Sequence, residues 1–179
     1  MWRRIWYRVS QFFHALTARA APAEVAQAIT LLPADARVLF GRQSRADQCH
    51  ALAVWRSLRQ AGYSNPQLLS AALLHDVGKA AARLTLWQRA AIVALDRFAP
   101  RALQRLGHSG VAGEGRAWGW RHPFAVTVHH AELGARWAEE AGCSPVTVTL
   151  IRRHQDRVVS AETEADRLLA ALQAADDAH

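Results

Sequence analysis

Apolar residues in this chain recur three and four positions apart, and nearly every such run is bounded by a residue that starts or stops helices. Ser44 stands before residues 45–61, with Asp47 at the third helical position and Gly62 just past the end. A serine there can accept from a backbone N–H of the first turn, and a glycine there can take the left-handed closing conformation. Within that run Cys49, Leu52, Ala53 and Leu58 are expected to face inward. Asn65-Pro66 opens the next run, whose apolar side is Leu68, Leu69, Ala72 and Leu73, and Gly78 is placed to break it. Residues 22–32 predict a short helix, and 84–97 an amphipathic one through Leu84, Trp87, Ala91, Ile92 and Leu95. Residues 123–141 close at Gly142, and Ser144-Pro145 opens a helix to about Gln155. Ser160 is expected to cap a last helix, with Glu162 and Glu164 in its first turn and Leu168, Leu169 and Leu172 on its apolar face. The β-branched stretches 126–128 and 146–149 read as helix, because caps flank them and no hairpin turn does. The fold class expected is all-α.

A chain of 179 residues suits one domain with a core of its own. That domain is expected over 21–179, with 1–20 as an appended basic amphipathic helix. Trp2, Ile5, Trp6, Val9, Phe12, Phe13 and Leu16 make one stripe across 2–18, with arginines mostly off it. Such a helix suits an anionic membrane surface, or packing on the domain or on a second copy of the chain. Four of the seven net positive charges sit in residues 1–20, which leaves three for the body. A body that mildly basic argues against duplex nucleic acid as a partner. No apolar run reaches the ~18 residues of a spanning helix, and Arg8, Gln11 and His14 interrupt any signal-peptide core. With two cysteines, Cys49 and Cys143, the expected setting is a reducing cytoplasm, peripheral to the inner membrane face if 2–18 binds lipid.

Residues 107–122 hold Gly107, Gly110, Gly113, Gly115 and Gly119 and form the one irregular stretch, a loop that can cover or contact a substrate. The chemistry concentrates elsewhere. His75-Asp76 closes an apolar segment, and Lys79 follows as the single lysine against 21 arginines. Lysine is a compact point charge suited to a phosphate oxygen or a metal-bound water, whereas arginine is a planar fork. Separate predicted helices each place a candidate metal ligand: His50, His75 with Asp76, His129 or His130, and His154, with Asp176 or Asp177 near the end of the sequence. Imidazoles with carboxylates suit Fe, Mn, Co or Zn, and the two cysteines lack zinc-finger spacing.

Three segments in order, Asp47-Gln48-Cys49-His50, Leu73-Leu74-His75-Asp76-Val77-Gly78-Lys79 and Gln173-Ala174-Ala175-Asp176, resemble the HD-domain superfamily of metal-dependent phosphohydrolases. The resemblance covers about residues 36–178 and implies a compact helical bundle in which His50, His75, Asp76 and Asp176 hold a first metal. The segments His130-Ala131-Glu132-Leu133-Gly134-Ala135 and Leu150-Ile151-Arg152-Arg153-His154-Gln155-Asp156 resemble those of the binuclear branch. They imply that Asp76 bridges two metals and that His130 and His154 bind the second. Many binuclear members carry a further histidine where this chain has Gln155, so Asp156 or water would complete that site. No Asp-Gly-x-Gly-Tyr-Pro segment follows position 154, which argues against the cyclic-di-GMP branch.

The activity this resemblance implies is hydrolysis of a phosphate ester, of a nucleotide or nucleotide-like substrate, by metal-activated water. Asp76 would serve as ligand and proton acceptor, and Lys79 would contact a phosphoryl oxygen or the leaving group. His122, just before Pro123, is a candidate substrate contact, the alternative being a surface histidine. The competing reading is a degenerate module that binds a nucleotide or a partner protein for signalling. His14, His108 and His179 carry no expected role.

Overall fold

The computed structural model describes residues 21–82, 85–108, 122–156 and 162–179. The expected helix over 2–18, most of the 107–122 loop, and Ser160 lie outside them. Nine α-helices and one 3-10 turn make up the described part, and no strand occurs among the described residues. They are α1 (Pro22–Ile29), α2 (Ala34–Arg42), α3 (Arg45–Gln60), α4 (Pro66–Leu74), the 3-10 turn (Val77–Ala81), α5 (Leu86–Phe98), α6 (Pro100–His108), α7 (His122–Glu140), α8 (Pro145–Arg153) and α9 (Glu164–Asp177). Among them no helix is long and apolar enough to cross a membrane.

The punctuation acts as the sequence predicts at most boundaries. Ser44 Oγ accepts from Asp47 N, Asn65 Oδ1 from Gln67 N and Leu68 N, and Ser144 Oγ from Thr147 N. Gly62 and Gly142 take φ of 89° and 78°. Behind each, a crossed pair of bonds closes the helix: Tyr63 N to Leu58 O with Gly62 N to Arg59 O, and Cys143 N to Ala138 O with Gly142 N to Glu139 O.

The main core surrounds α4, whose residues Leu68 to Leu74 are all buried. The expectation of one apolar side was too narrow. The helix runs through the middle of the bundle, with α3, α8 and α9 packed around it, so from Leu68 on it has no solvent face. A smaller cluster of Ile92, Leu103 and Phe124 lies where α5, α6 and α7 meet.

Four further expectations need correction. The helix from Asn65-Pro66 stops at Leu74, before Gly78, and Gly78 lies inside the 3-10 turn without a positive φ. What requires a glycine there is contact: a Cβ at 78 would collide with the carbonyl of His130 and crowd Gly134 N. Trp87, expected inward, is 60% exposed, because α5 is anchored through Ile92 instead. The cap of α9 is Thr163, whose side chain accepts from Asp166 N, rather than Ser160. Finally, α6 was not foreseen: Pro100 stops α5 and restarts the chain one residue later.

Candidate metal centre

Two histidines of the centre stand where helices end. His75 follows the last residue of α4, and His154 the last residue of α8; each keeps right-handed helical dihedrals. His130 lies inside α7, His50 inside α3 and Asp176 near the end of α9. The end of α4 is held by a contact that the sequence did not announce: the buried Gln43 donates from Nε2 to Leu73 O at 3.0 Å. The end of α8 is held similarly, with Gln173 Nε2 donating to His154 O at 2.9 Å and Asp156 O at 2.7 Å. Helix carbonyls near a C-terminus lack intrahelical partners, so these two glutamines fix the ends that carry His75 and His154.

Three imidazoles are oriented in one manner. The Nδ1 atoms of His75, His130 and His154 lie 3.0, 2.6 and 2.7 Å from the carbonyls of Ala72, Thr127 and Ile151. A carbonyl can only accept, so each Nδ1 carries the hydrogen, and each ring turns its Nε2 inward as the atom available to a metal. Metal-binding histidines are held in this way.

Those nitrogens meet two carboxylates. In the first group His50 Nε2 is 2.8 Å from Asp176 Oδ1, and His75 Nε2 is 3.5 Å from Asp176 Oδ1 and 3.5 Å from Asp76 Oδ2. In the second, His130 Nε2 is 3.2 Å from Asp76 Oδ1 and 3.3 Å from His154 Nε2, which is itself 3.8 Å from Asp76 Oδ1. Asp76 thus turns one oxygen to each group. Donors sharing one ion at bond lengths of ~2.0–2.2 Å stand roughly 2.8–3.6 Å apart. All of these separations but the 3.8 Å one fall in that range, and the groups His50, His75, Asp176 and Asp76, His130, His154, whose ligand atoms lie within 4.8 Å of one another, could each hold a metal ion. The buried His75 Nε2 has no hydrogen-bond partner, a loss that a cation would repair. With neutral rings the set carries two negative charges, enough to balance one divalent ion.

Without an ion the charges redistribute. Burial works to lower the His75 pKa, but the charges of Asp76 and Asp176 outweigh it and hold it at about 10. His154 goes the other way, to about 4, through burial and the charge on His75. Burial also opposes ionisation of both carboxyls. His75 and Lys79 nevertheless hold Asp76 well below the usual carboxylate range, and the bond to His50 with the charge on His75 does so for Asp176.

Lys79 places Nζ 2.5 Å from Asp76 Oδ2. It also lines, with His130 and Gln155, a cleft of about 910 Å³ between α2, the 3-10 turn, α5, α6 and α7. Of the two adjacent histidines it is His130 that reaches the centre. His129 faces His108 with ring centroids 5.2 Å apart, and burial and that neighbour lower its pKa. Asp156 does not join the second group; it is exposed and pairs with Arg153 at 3.4 Å. His122 does not join either group: it opens α7, eight residues before His130, roughly 12 Å away along the helix axis. His179 contacts Ser57 at 2.6 Å. The roles of Gln43 and Gln173 left only a faint trace in the sequence, since a buried amide that holds a distant helix end has no local pattern. In comparisons with family models, curated proteins and solved structures, nothing matches this chain.

Proposed function

We propose that this chain is a metal-dependent phosphohydrolase of the HD type. Its centre takes divalent transition metal, Fe, Mn, Co or Zn, at up to two ions per chain, His50, His75, Asp76 and Asp176 holding the first and Asp76, His130 and His154 the second. The observation that carries the reading is the convergence of three backbone-held imidazoles on the two oxygens of one buried aspartate. Imidazole and carboxylate together favour transition metals over Mg or Ca. Bound there, a metal supplies a lowered water pKa and charge stabilisation at a phosphoryl oxygen.

The chain's own groups then have separable tasks. Hydrolysis forms a bond from a water oxygen to phosphorus and breaks the ester P–O bond; one proton leaves the water and one reaches the departing alkoxide. Asp76, whose two oxygens face the two donor groups, is the candidate acceptor of the first. Lys79, at the cleft wall, can offset charge on a phosphoryl oxygen or on the leaving oxygen. Substrate enters by the cleft that ends at His130 and Lys79, on the side of the second group. A phosphate ester of a nucleotide or similar small molecule fits this arrangement, and residues 2–18 remain the candidate contact with a membrane surface or a second copy.

The test is elemental analysis of protein purified without added metal or chelator, with Asp76→Ala alongside. Two transition metals per wild-type chain, none in the variant and hydrolysis only in the wild type are expected, with helical circular dichroism unchanged. A single metal would leave His130 and His154 as contacts to substrate. A chain that takes up no metal on reconstitution sinks the proposal and favours a binding module.

A further inference from the structure

The cleft has two unlike walls. On one side Ile92, Leu103 and Val128 present the surface of the small apolar cluster, joined by Val126 of α7 and Val93 of α5. Val93 is 60% exposed although it lines a cavity, so an apolar side chain is held against solvent at the place where a ligand would lie. Thr127 offers no free hydroxyl proton on this wall, because its Oγ1 donates to Pro123 O at 2.9 Å. On the other side stand Arg42, Ser44, Asp47 and Lys79. The Asp47 carboxylate accepts from Ser44 Oγ at 2.5 Å, and Lys79 pairs with Asp76 while still facing the cleft. Arg42 and the partly exposed Lys79 are the cations of the described lining, and Arg42 has no carboxylate partner among the described residues.

We infer that the ligand of this cleft is a phosphate monoester whose organic part is hydrophobic, with the phosphate between Arg42, Lys79 and the metal centre and the organic part on Val93, Ile92 and Val128. Two cations beside the metal centre suit a single terminal phosphate, and the described lining offers no further lysine or arginine for a diphosphate or triphosphate tail. The aliphatic wall offers dispersion and desolvation but few bonds for polar edges, which favours aryl or alkyl groups over sugars. The phosphate end rests on the phosphohydrolase reading; the hydrophobic end rests on the cleft alone.

The test is calorimetric titration of the metal-loaded full chain with three non-hydrolysable probes, methylphosphonate, octylphosphonate and 1-naphthylphosphonate. The two larger probes are expected to bind at least about tenfold more tightly than methylphosphonate. Their ratio to each other separates an alkyl from an aryl ligand. Val93→Asn, at an exposed position that the fold tolerates, is expected to reduce the preference by about threefold or more while methylphosphonate binding is unchanged. Arg42→Gln is expected to weaken all three by about tenfold. Equal binding of the three probes, a preference untouched by Val93→Asn, or no binding of any phosphonate overturns the inference. Turnover assays with the matching phosphate esters separate the two claims. Hydrolysis that ignores the organic group leaves the phosphohydrolase standing without this ligand, and a preserved binding preference without hydrolysis does the reverse.

Discussion

Gly78→Ala is the perturbation whose cost the structure fixes most tightly. The added methyl would fall on the carbonyl of His130 and against Gly134 N, both backbone, with no flexible side-chain tip to swing away. Since Gly78 has no positive φ, the cost is contact alone. Overpacking of this kind costs about 1–3 kcal/mol, and rigid neighbours place it in the upper part, ~2–3 kcal/mol. For a chain of this size that is a fall of roughly 4–12 °C in Tm. Relief requires the 3-10 turn to move off α7, which separates Asp76 Oδ1 from His130 Nε2, now 3.2 Å apart. Metal at the second group should therefore fall together with stability. Gly41→Ala is the internal control: it lies in α2 with nothing within 4 Å of an added Cβ, and should stabilise by up to ~1 kcal/mol through reduced unfolded-state entropy. Urea denaturation of metal-free protein reads both signs. A Gly78→Ala protein as stable as wild type, with full metal content, would refute the contact as described.

Lys79→Ala should keep its metal yet lose rate; elemental analysis beside steady-state kinetics checks it, and an unchanged kcat removes Lys79 from the chemistry. Metal uptake should release protons. His75 in the metal-free protein carries a proton up to about pH 10, so at pH 7 an arriving ion displaces about one from it, and apparent affinity should rise with pH across 6–9. Calorimetry in buffers of different ionisation enthalpy measures that release, and a pH-independent affinity contradicts it. Ser144→Ala should cost about 1 kcal/mol by removing the acceptor for Thr147 N, as urea denaturation would show.

Helix boundaries were legible wherever a side chain acts on its own neighbourhood. Ser44, Asn65, Ser144, Gly62 and Gly142 each satisfy or shape backbone within a few residues, so spacing alone located them. Tertiary placement was not legible. Trp87 and Ile92 are equally apolar, and only the position of α6 and α7 decides which one is covered. Gly78 looked like a helix breaker because a glycine needed for close approach and one needed for dihedral freedom look alike in a sequence. Within the candidate centre, His50, His75, Asp76, His130, His154 and Asp176 are brought together, but their grouping came from the resemblance rather than from spacing. The choice of His130 over His129 follows from helix rotation about α7, which points one ring at Asp76 and the other at His108. The supporting glutamines bind carbonyls 30 and 19 positions away, beyond any local pattern.

The two donor groups stitch together very different lengths of chain. His130 and His154 are 24 positions apart, on neighbouring helices that pack on each other regardless of any ion. His50 and Asp176 are 126 positions apart, and their contact fastens the C-terminal helix α9 to α3. An ion in the first group is therefore a clasp between distant ends of the described chain, while one in the second sits within a unit already closed. Stripping metal should loosen the molecule unevenly: α9 becomes the first element to open to proteases and to amide exchange, and the α7–α8 hairpin is the last to notice.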